Sequence, residues 1–308
     1  MFLKRLFSTV VLLALFAVSI FAPNPYNCIT FLLLSTFLTF GLVREIRAIA
    51  KNIAMETCKS TLWYCTVCVF VLNLFLISLC EICEENLHVS LILFILTLIT
   101  CFAFILFSPL SILFSKNEPE KIRTIFNTVA ISAFILIPVV LISIIYCTGL
   151  NSNGLNECEY NFYNWNFLIF ILMTKIGDIG AYVVGTVSNK LLKGGNHKMI
   201  PSISPGKSWE GAAGGLIISI LLALAFYYWI PGEKLILPSL VWTVVSAIFL
   251  FFGSMAGDLM ESAFKRAAKV KDSGNTIPGI GGVFDLVDSL FVTAPVYFLI
   301  LAAIKIIN

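Results

Sequence analysis

The sequence predicts an all-α, polytopic membrane protein with about nine transmembrane helices and a cytoplasmic N-terminus. Three observations predict it. The 308 residues are 59% hydrophobic and only 12% charged, where a soluble domain carries about a quarter charged residues. The apolar residues, at a mean hydropathy of +0.98, gather into runs close to the roughly 20 residues that cross a hydrocarbon core as a helix. Lysine and arginine concentrate in alternate gaps between those runs, as the positive-inside rule requires. A net charge of +3 is too small to imply a nucleic-acid partner.

Spans are expected near 6–22, 28–43, 62–80, 89–114, 126–147, 165–187, 212–230, 236–257 and 284–304. The first follows Lys4 and Arg5 and imitates a secretory signal, but Ile20 is bulky where cleavage wants a small residue and Pro23 follows Ala22. An uncleaved anchor is the expectation. The second span runs into the basic segment 44–61, and the third ends at Glu81, Glu84 and Glu85. The fourth leads to the basic segment 115–125, and the fifth to Glu157 and Glu159. Segment 188–211 follows the sixth span, Glu233 and Lys234 the seventh, and segment 258–283 the eighth; Lys305 closes the ninth. With the N-terminus inside, the cytoplasmic pieces hold 17 of the 20 basic residues.

The nine cysteines are an odd count, mostly inside apolar runs, and do not form a secreted disulfide framework. Cys65/Cys68 and Cys80/Cys83 make two CxxC pairs most of a helix apart, a poor arrangement for zinc. Two regions are expected: 1–150, with about five spans and almost no ionisable residue within them, and 151–308, with two cytoplasmic polar loops. Lys175 and Asp178 lie inside a span of the second region. An ionised side chain there costs about 2.5 to 3.5 kcal/mol, so it faces a cavity or a partner. That makes the second region the working one, although Asp178 and Lys175 are also spaced to pair with each other at i,i+3.

Residues 257–289 read GDLMESAFKRAAKVKDSGNTIPGIGGVFDLVDS. Asp258 ends one expected span and Asp285 begins the next, with Asp288 on the same helical face as Asp285. Oxygen ligands of this kind suit a hard cation bridging to phosphate. Lys265, Arg266, Lys269 and Lys271 supply positive charge between them, and Gly274, Gly279, Gly281 and Gly282 permit close backbone approach to an anion. A second polar stretch starts at Asp178 and Tyr182, passes His197 and closes on PSISPGKSWEGAAGG from Pro201 to Gly215. Its Ser204, Lys207 and Ser208 offer hydroxyls and a cation to phosphate, without the spacing of a P-loop. His197 reads as a surface histidine. The two stretches together read as a phosphate-handling site at a membrane surface.

The residues Ser262, Lys265, Arg266, Lys271, Asp272, Pro278, Gly279, Gly281, Gly282, Asp285 and Asp288 form the pattern S-x-x-K-R, K-D, P-G-x-G-G, D-x-x-D. This resembles the signature of the phosphatidate cytidylyltransferase family. Upstream, Asp178, Ala181, Tyr182, Ser204, Pro205, Lys207, Ser208, Glu210 and Gly211 resemble that family's second block. The likeness spans about 110 residues of the second region. Two positions depart from it: Ile280 and Leu286 stand where the family often has His and Arg.

The resemblance implies a reaction of CTP with phosphatidate to give CDP-diacylglycerol and pyrophosphate, in the cytoplasmic membrane with the site facing the cytoplasm. It implies catalytic roles for Asp258, Asp285, Asp288, Lys265 and Arg266, the three aspartates holding Mg²⁺ alone or with a second cation. Asp178, Ser204, Pro205, Lys207, Ser208, Glu210, Ser262, Lys271, Asp272, Gly281 and Gly282 would line the substrates. Membrane lipid surrounds the chain, and a homodimer is implied by the resemblance alone. The residues themselves leave open a CTP-dependent transferase or kinase acting on a polyprenol or an ether lipid. They speak less for a transporter, since neither an internal repeat nor charges in several spans is visible.

Overall fold

The computed structural model describes residues 2–57, 59–82, 99, 118–151, 164–230 and 236–307. The described residues form eight long helices and one β-hairpin: α1 (Phe2–Phe21), α2 (Tyr26–Asn52), α3 (Lys59–Ile82), α4 (Glu118–Asn151), α5 (Trp165–Leu191), β1 (Lys198–Ile200), β2 (Ser204–Ser208), α6 (Trp209–Trp229), α7 (Leu240–Ala267) and α8 (Phe284–Ile307). Among the described residues seven of these helices are long and apolar enough to cross a membrane, and a shorter apolar stretch, Trp63–Phe75, lies in α3. The chain is therefore a nearly all-α, multi-pass membrane protein, since a helix satisfies its backbone hydrogen bonds internally in lipid. The expected span 89–114 and the second CxxC pair lie outside the described residues, apart from single helical positions.

The helices outrun the hydropathy windows at their polar ends. The second expected span stopped at residue 43, whereas α2 continues to Asn52, with Lys51 in its last turn where a cation offsets the helix dipole. It ends in a Schellman turn: Ala54 is left-handed (φ 57°), Met55 N–H donates to Ala50 O (2.9 Å) and Ala54 N–H to Lys51 O (3.1 Å). Similarly, α7 continues ten residues beyond the expected end at 257. Asp258 is thus inside a continuous helix, a correction with consequences for the site.

The chain divides into two compact units, one formed by 1–163 with 267–286 and the other by 164–266 with 287–308. In the first, the core gathers Ile135, Leu136, Ile145 and Tyr146 of α4 with Leu42 of α2. Tyr146 stacks on Phe31 (3.8 Å between ring centroids), and its hydroxyl donates to Ser19 O of α1 (2.8 Å). Asn73 of α3 donates to Ser35 Oγ of α2 (2.7 Å). Polar ties of this kind join helices that lipid gives little hydrophobic reason to associate.

In the second unit α5 and α6 meet on small residues. A Cβ on Gly215 would stand 2.6 Å from Gly177 O, so the two backbones pack without side chains between them. Their turn of entry is the antiparallel hairpin β1–β2, registered Lys198 to Ser208 and Ile200 to Ser204, where the sequence suggested only a loop. Ser208 caps α6 by accepting from Gly211 N–H (3.2 Å). The aromatic pair Phe170 of α5 and Tyr297 of α8 (5.0 Å) fills the core of this unit.

Candidate functional site

Three carboxylates converge in the second unit. Because α7 does not stop at residue 257, Asp258 and Glu261 stand three residues apart on one face of it. Gly257, just before them, lets α8 approach: a Cβ there would lie 2.6 Å from Asp288 O. One carboxylate oxygen each from Asp258, Glu261 and Asp288 then lies within 4.8 Å of the others, a group able to hold a metal ion. All three donors are hard oxygens, the set that divalent cations such as Mg²⁺ or Ca²⁺ take. Like charges so close demand compensation.

A lysine answers each carboxylate. Lys207 Nζ is 2.7 Å from Asp258 Oδ2 and also donates to Met255 O (3.0 Å), Lys265 Nζ is 2.8 Å from Glu261 Oε1, and Lys175 Nζ is 3.5 Å from Asp288 Oδ1. The intramembrane Lys175 therefore serves the cluster. Asp178, one turn further along α5, accepts from Ser254 Oγ (2.8 Å) on α7. Both residues meet partners on other helices, as polar residues at membrane depth should.

Beside the cluster opens a cavity of about 440 Å³, within the usual range for small-molecule sites. Asp178, Tyr182, Lys198, Ser204, Gly206, Lys207, Ser208 and Asp258 are among the residues lining it. Helix α5, the hairpin and the start of α6 thus bring the polar block around 178–208 to one wall, with Asp258 at its edge. Two members of that block have structural duties. Ser208 is the cap of α6, and Glu210 ties the hairpin by accepting from His197 N–H (3.1 Å) while standing 2.6 Å from His197 Nδ1. His197 is an exposed partner in that tie. Pro205 is exposed on β2, Ser262 is half-buried on α7, and the exposed Arg266 extends Nε to Ile203 O at 3.5 Å.

The candidate residues of the 257–289 stretch between Ala267 and Leu286 belong to the first unit. Lys271 and Asp272 are exposed there, while Gly282 is buried. Asp285 Oδ2 accepts from Gly282 N–H (2.9 Å), from Ser273 N–H (3.2 Å) and from Ser273 Oγ (3.0 Å), and Ser273 N–H also reaches Oδ1 (3.4 Å). The glycine-rich segment also differs from expectation. The anion it encloses is one of the chain's own, the carboxylate of Glu45, against which a Cβ on Gly274 or Gly282 would collide at 2.7 and 2.6 Å. Glu45 and Glu261 were absent from the sequence-derived set. Glu261 was legible as the i+3 neighbour of Asp258 had the helix been extended, while Glu45 carried no local signal.

A multi-pass helical bundle thus carries three clustered carboxylates, each paired with a lysine, beside a cavity into which several polar side chains project. The chain belongs to the Cytidylyltransferase family, whose model matches residues 3–304. It is 40% identical over 133 residues to a phosphatidate cytidylyltransferase of Haemophilus influenzae, covering 42% of each chain. It is 44% identical over 124 residues to one of Bacillus subtilis, covering 40% of this chain and 42% of that one. A third, of Staphylococcus haemolyticus, is 34% identical over 172 residues, 55% of this chain and 59% of the relative. The chain thus spans about half the length of the curated relatives it matches.

Proposed function

We propose that the protein transfers a cytidylyl group from CTP to phosphatidate, forming CDP-diacylglycerol and pyrophosphate for phospholipid synthesis. The observation that carries this reading is the group Asp258, Glu261 and Asp288, each matched by a lysine, at the edge of a cavity lined in part by polar side chains in a membrane-spanning bundle. The family and its phosphatidate cytidylyltransferase relatives support the substrate class. In the reaction a phosphatidate phosphate oxygen attacks the α-phosphorus of CTP, and the bond to the bridging oxygen of the leaving pyrophosphate breaks. The nucleophile is already an anion, so positioning and charge neutralisation matter more than a strong base. Accordingly, the reading needs no nucleophilic serine or cysteine.

In this reading Asp258, Glu261 and Asp288 would hold Mg²⁺. A cation bound there supplies charge neutralisation at the CTP phosphates and the departing pyrophosphate. Lys207, Lys175 and Lys265 hold the carboxylates in place and offer N–H donors to phosphate oxygens when substrate enters. Ser204 and Lys198 on the hairpin wall orient the nucleotide. Arg266, Ser262, Lys271 and Asp272 add polar contacts near the membrane surface, and apolar faces of the helices receive the acyl chains. In this reading the site faces the cytoplasm from the cytoplasmic membrane, where CTP is available, and the base-rich segments support that orientation.

The test is incubation of purified protein with CTP labelled in the cytosine ring, Mg²⁺ and a panel of acceptors: phosphatidate, a polyprenyl phosphate and an ether-lipid phosphate. Label should enter the lipid phase with phosphatidate as acceptor. Incorporation only with another acceptor would overturn the assignment of substrate.

A further inference from the structure

The cavity of the second unit differs chemically from one end to the other. Asp178, Tyr182, Gly185 and Asn189 of α5 are among its lining residues, and their spacing sets them along one face of the helix. Asp178 marks the carboxylate end, since its Oδ2 accepts from Ser254 Oγ (2.8 Å), one turn before Asp258 on α7. Gly185 lies about 10 Å further along the axis of α5 and Asn189 roughly 16 Å, at about 1.5 Å rise per residue. There the wall is completed by Asn196. Gly194 and Gly195, with φ of 105° and 81°, turn the chain after α5 so that Asn196 folds back onto its own helix.

Asn196 is half-buried and held from several sides. Its N–H donates to Asn189 Oδ1 (3.3 Å) and its Nδ2 to Gly185 O (2.8 Å). The next residue, His197, donates its N–H to Glu210 Oε2 (3.1 Å) and accepts from Trp209 N–H (3.0 Å). Because Gly185 O can only accept, the amide nitrogen of Asn196 must face it, which fixes the other amide atom as oxygen. That Oδ1 is buried and has no hydrogen-bond partner among the described residues. An unpaired buried acceptor is unfavourable, so a ligand in the cavity is the natural source of its donor. Ionised phosphate oxygens only accept, and they belong with the lysines and the metal group. A nucleotide whose α-phosphate lies at the carboxylate end puts its ribose next and its base beside Asn196.

We infer that Asn196 determines nucleotide specificity, its Oδ1 accepting from the 4-amino group of cytosine while Asn189 holds its backbone in place. This rests on the reading that CTP occupies the cavity. Uracil carries a carbonyl oxygen at the same ring position, so UTP sets acceptor against acceptor and leaves both unpaired.

The experiment uses wild type and Asn196→Ala as purified full-length protein in lipid nanodiscs with Mg²⁺ and no lipid acceptor. Labelled CTP is displaced by CTP, by UTP or by the pyrimidin-2-one ribonucleoside triphosphate, which lacks the 4-amino group. Wild type should hold UTP at least about tenfold more weakly than CTP, and the analogue about fivefold more weakly. Asn196→Ala should lower the CTP-to-UTP preference by about tenfold, mostly through weaker CTP binding. An unchanged preference, or equal weakening of both nucleotides, would overturn the inference, because a residue that only holds the turn, or meets ribose or phosphate, treats the two alike. Should Asn196→Ala not fold, a wild type that holds the analogue as tightly as CTP would overturn it. A wild type that binds no CTP would overturn this inference and the proposed function together. Preference for CTP that depends on Asn196, in a protein that makes no lipid product when phosphatidate is then added, would count against the proposed transfer alone.

Discussion

Replacing Asp288 by asparagine separates a carboxylate kept for chemistry from one kept for folding. Asp288 is buried on α8 and 3.5 Å from Lys175 Nζ, an attraction of about 5 kcal/mol at an effective dielectric of about 20. Against this, its oxygen shares a 4.8 Å neighbourhood with oxygens of Asp258 and Glu261, and each repulsion at that range is about 3.5 kcal/mol or more. Lys207 and Lys265 screen part of that repulsion through their own pairs. The opposing amounts are close, and Lys175 can turn to Asp178 at i+3 on its own helix. In metal-free buffer Asp288→Asn should therefore melt within about 2 °C of wild type, a difference under about 1 kcal/mol. Saturating Mg²⁺ at a hundred times its Kd stabilises a competent site by about 2.7 kcal/mol, and the variant should lose most of that increment. Its turnover should fall roughly a hundredfold to a thousandfold, the scale of losing a charge-stabilising group. Thermal melts with EDTA and with Mg²⁺, run beside incorporation of label from CTP into lipid, read all three quantities. A large drop in the EDTA melting temperature with turnover intact would refute the reasoning and make Asp288 a structural ion pair.

Lys207→Met should lower kcat/KM by about tenfold to a hundredfold, because it removes a charge-assisted contact and frees Asp258; steady-state kinetics with varied CTP checks it. Leu286→Ala should cost little turnover while Lys265→Ala costs at least about tenfold, since only Lys265 meets a carboxylate of the cluster; equal losses would mean that the phosphate contacts are misassigned. A cysteine at the exposed Ser202 should react with an impermeant thiol reagent only from the cytoplasmic side, and one at the exposed Asn24 only from the other; labelling of both from the same side would break the alternation of spans. Ser273, an apparent loop position in the sequence, is buried and unsuited to such labelling.

How far the sequence reached is visible residue by residue. Hydropathy windows found the membrane helices because a span must be apolar along nearly its whole length. They stopped short at α2 and α7, where polar side chains begin although the backbone goes on hydrogen bonding. That shortfall placed Asp258 at a helix end and hid Glu261, which a continuous helix puts on the same face. Lys175 and Asp178 were recognisable as costly intramembrane charges, but their partners Asp288 and Ser254 are distant in sequence and follow only from packing. Glu45 is the extreme case, since its partner Ser273 lies 228 residues away and its setting among Arg44 and Arg47 reads as an ordinary topology signal. The glycines suggested room for a phosphate, whereas in the structure Gly274 and Gly282 lie against the carboxylate of Glu45.

The central claim is that a cytidylyl group, and not a terminal phosphate, passes to phosphatidate. Parallel reactions with CTP labelled at the α-phosphorus or at the γ-phosphorus, each with phosphatidate and Mg²⁺, test it most directly. The account predicts that α-label enters the lipid phase and γ-label leaves as pyrophosphate, one pyrophosphate for each CDP-diacylglycerol formed. Label from the γ-position in lipid, or none from the α-position, would contradict it.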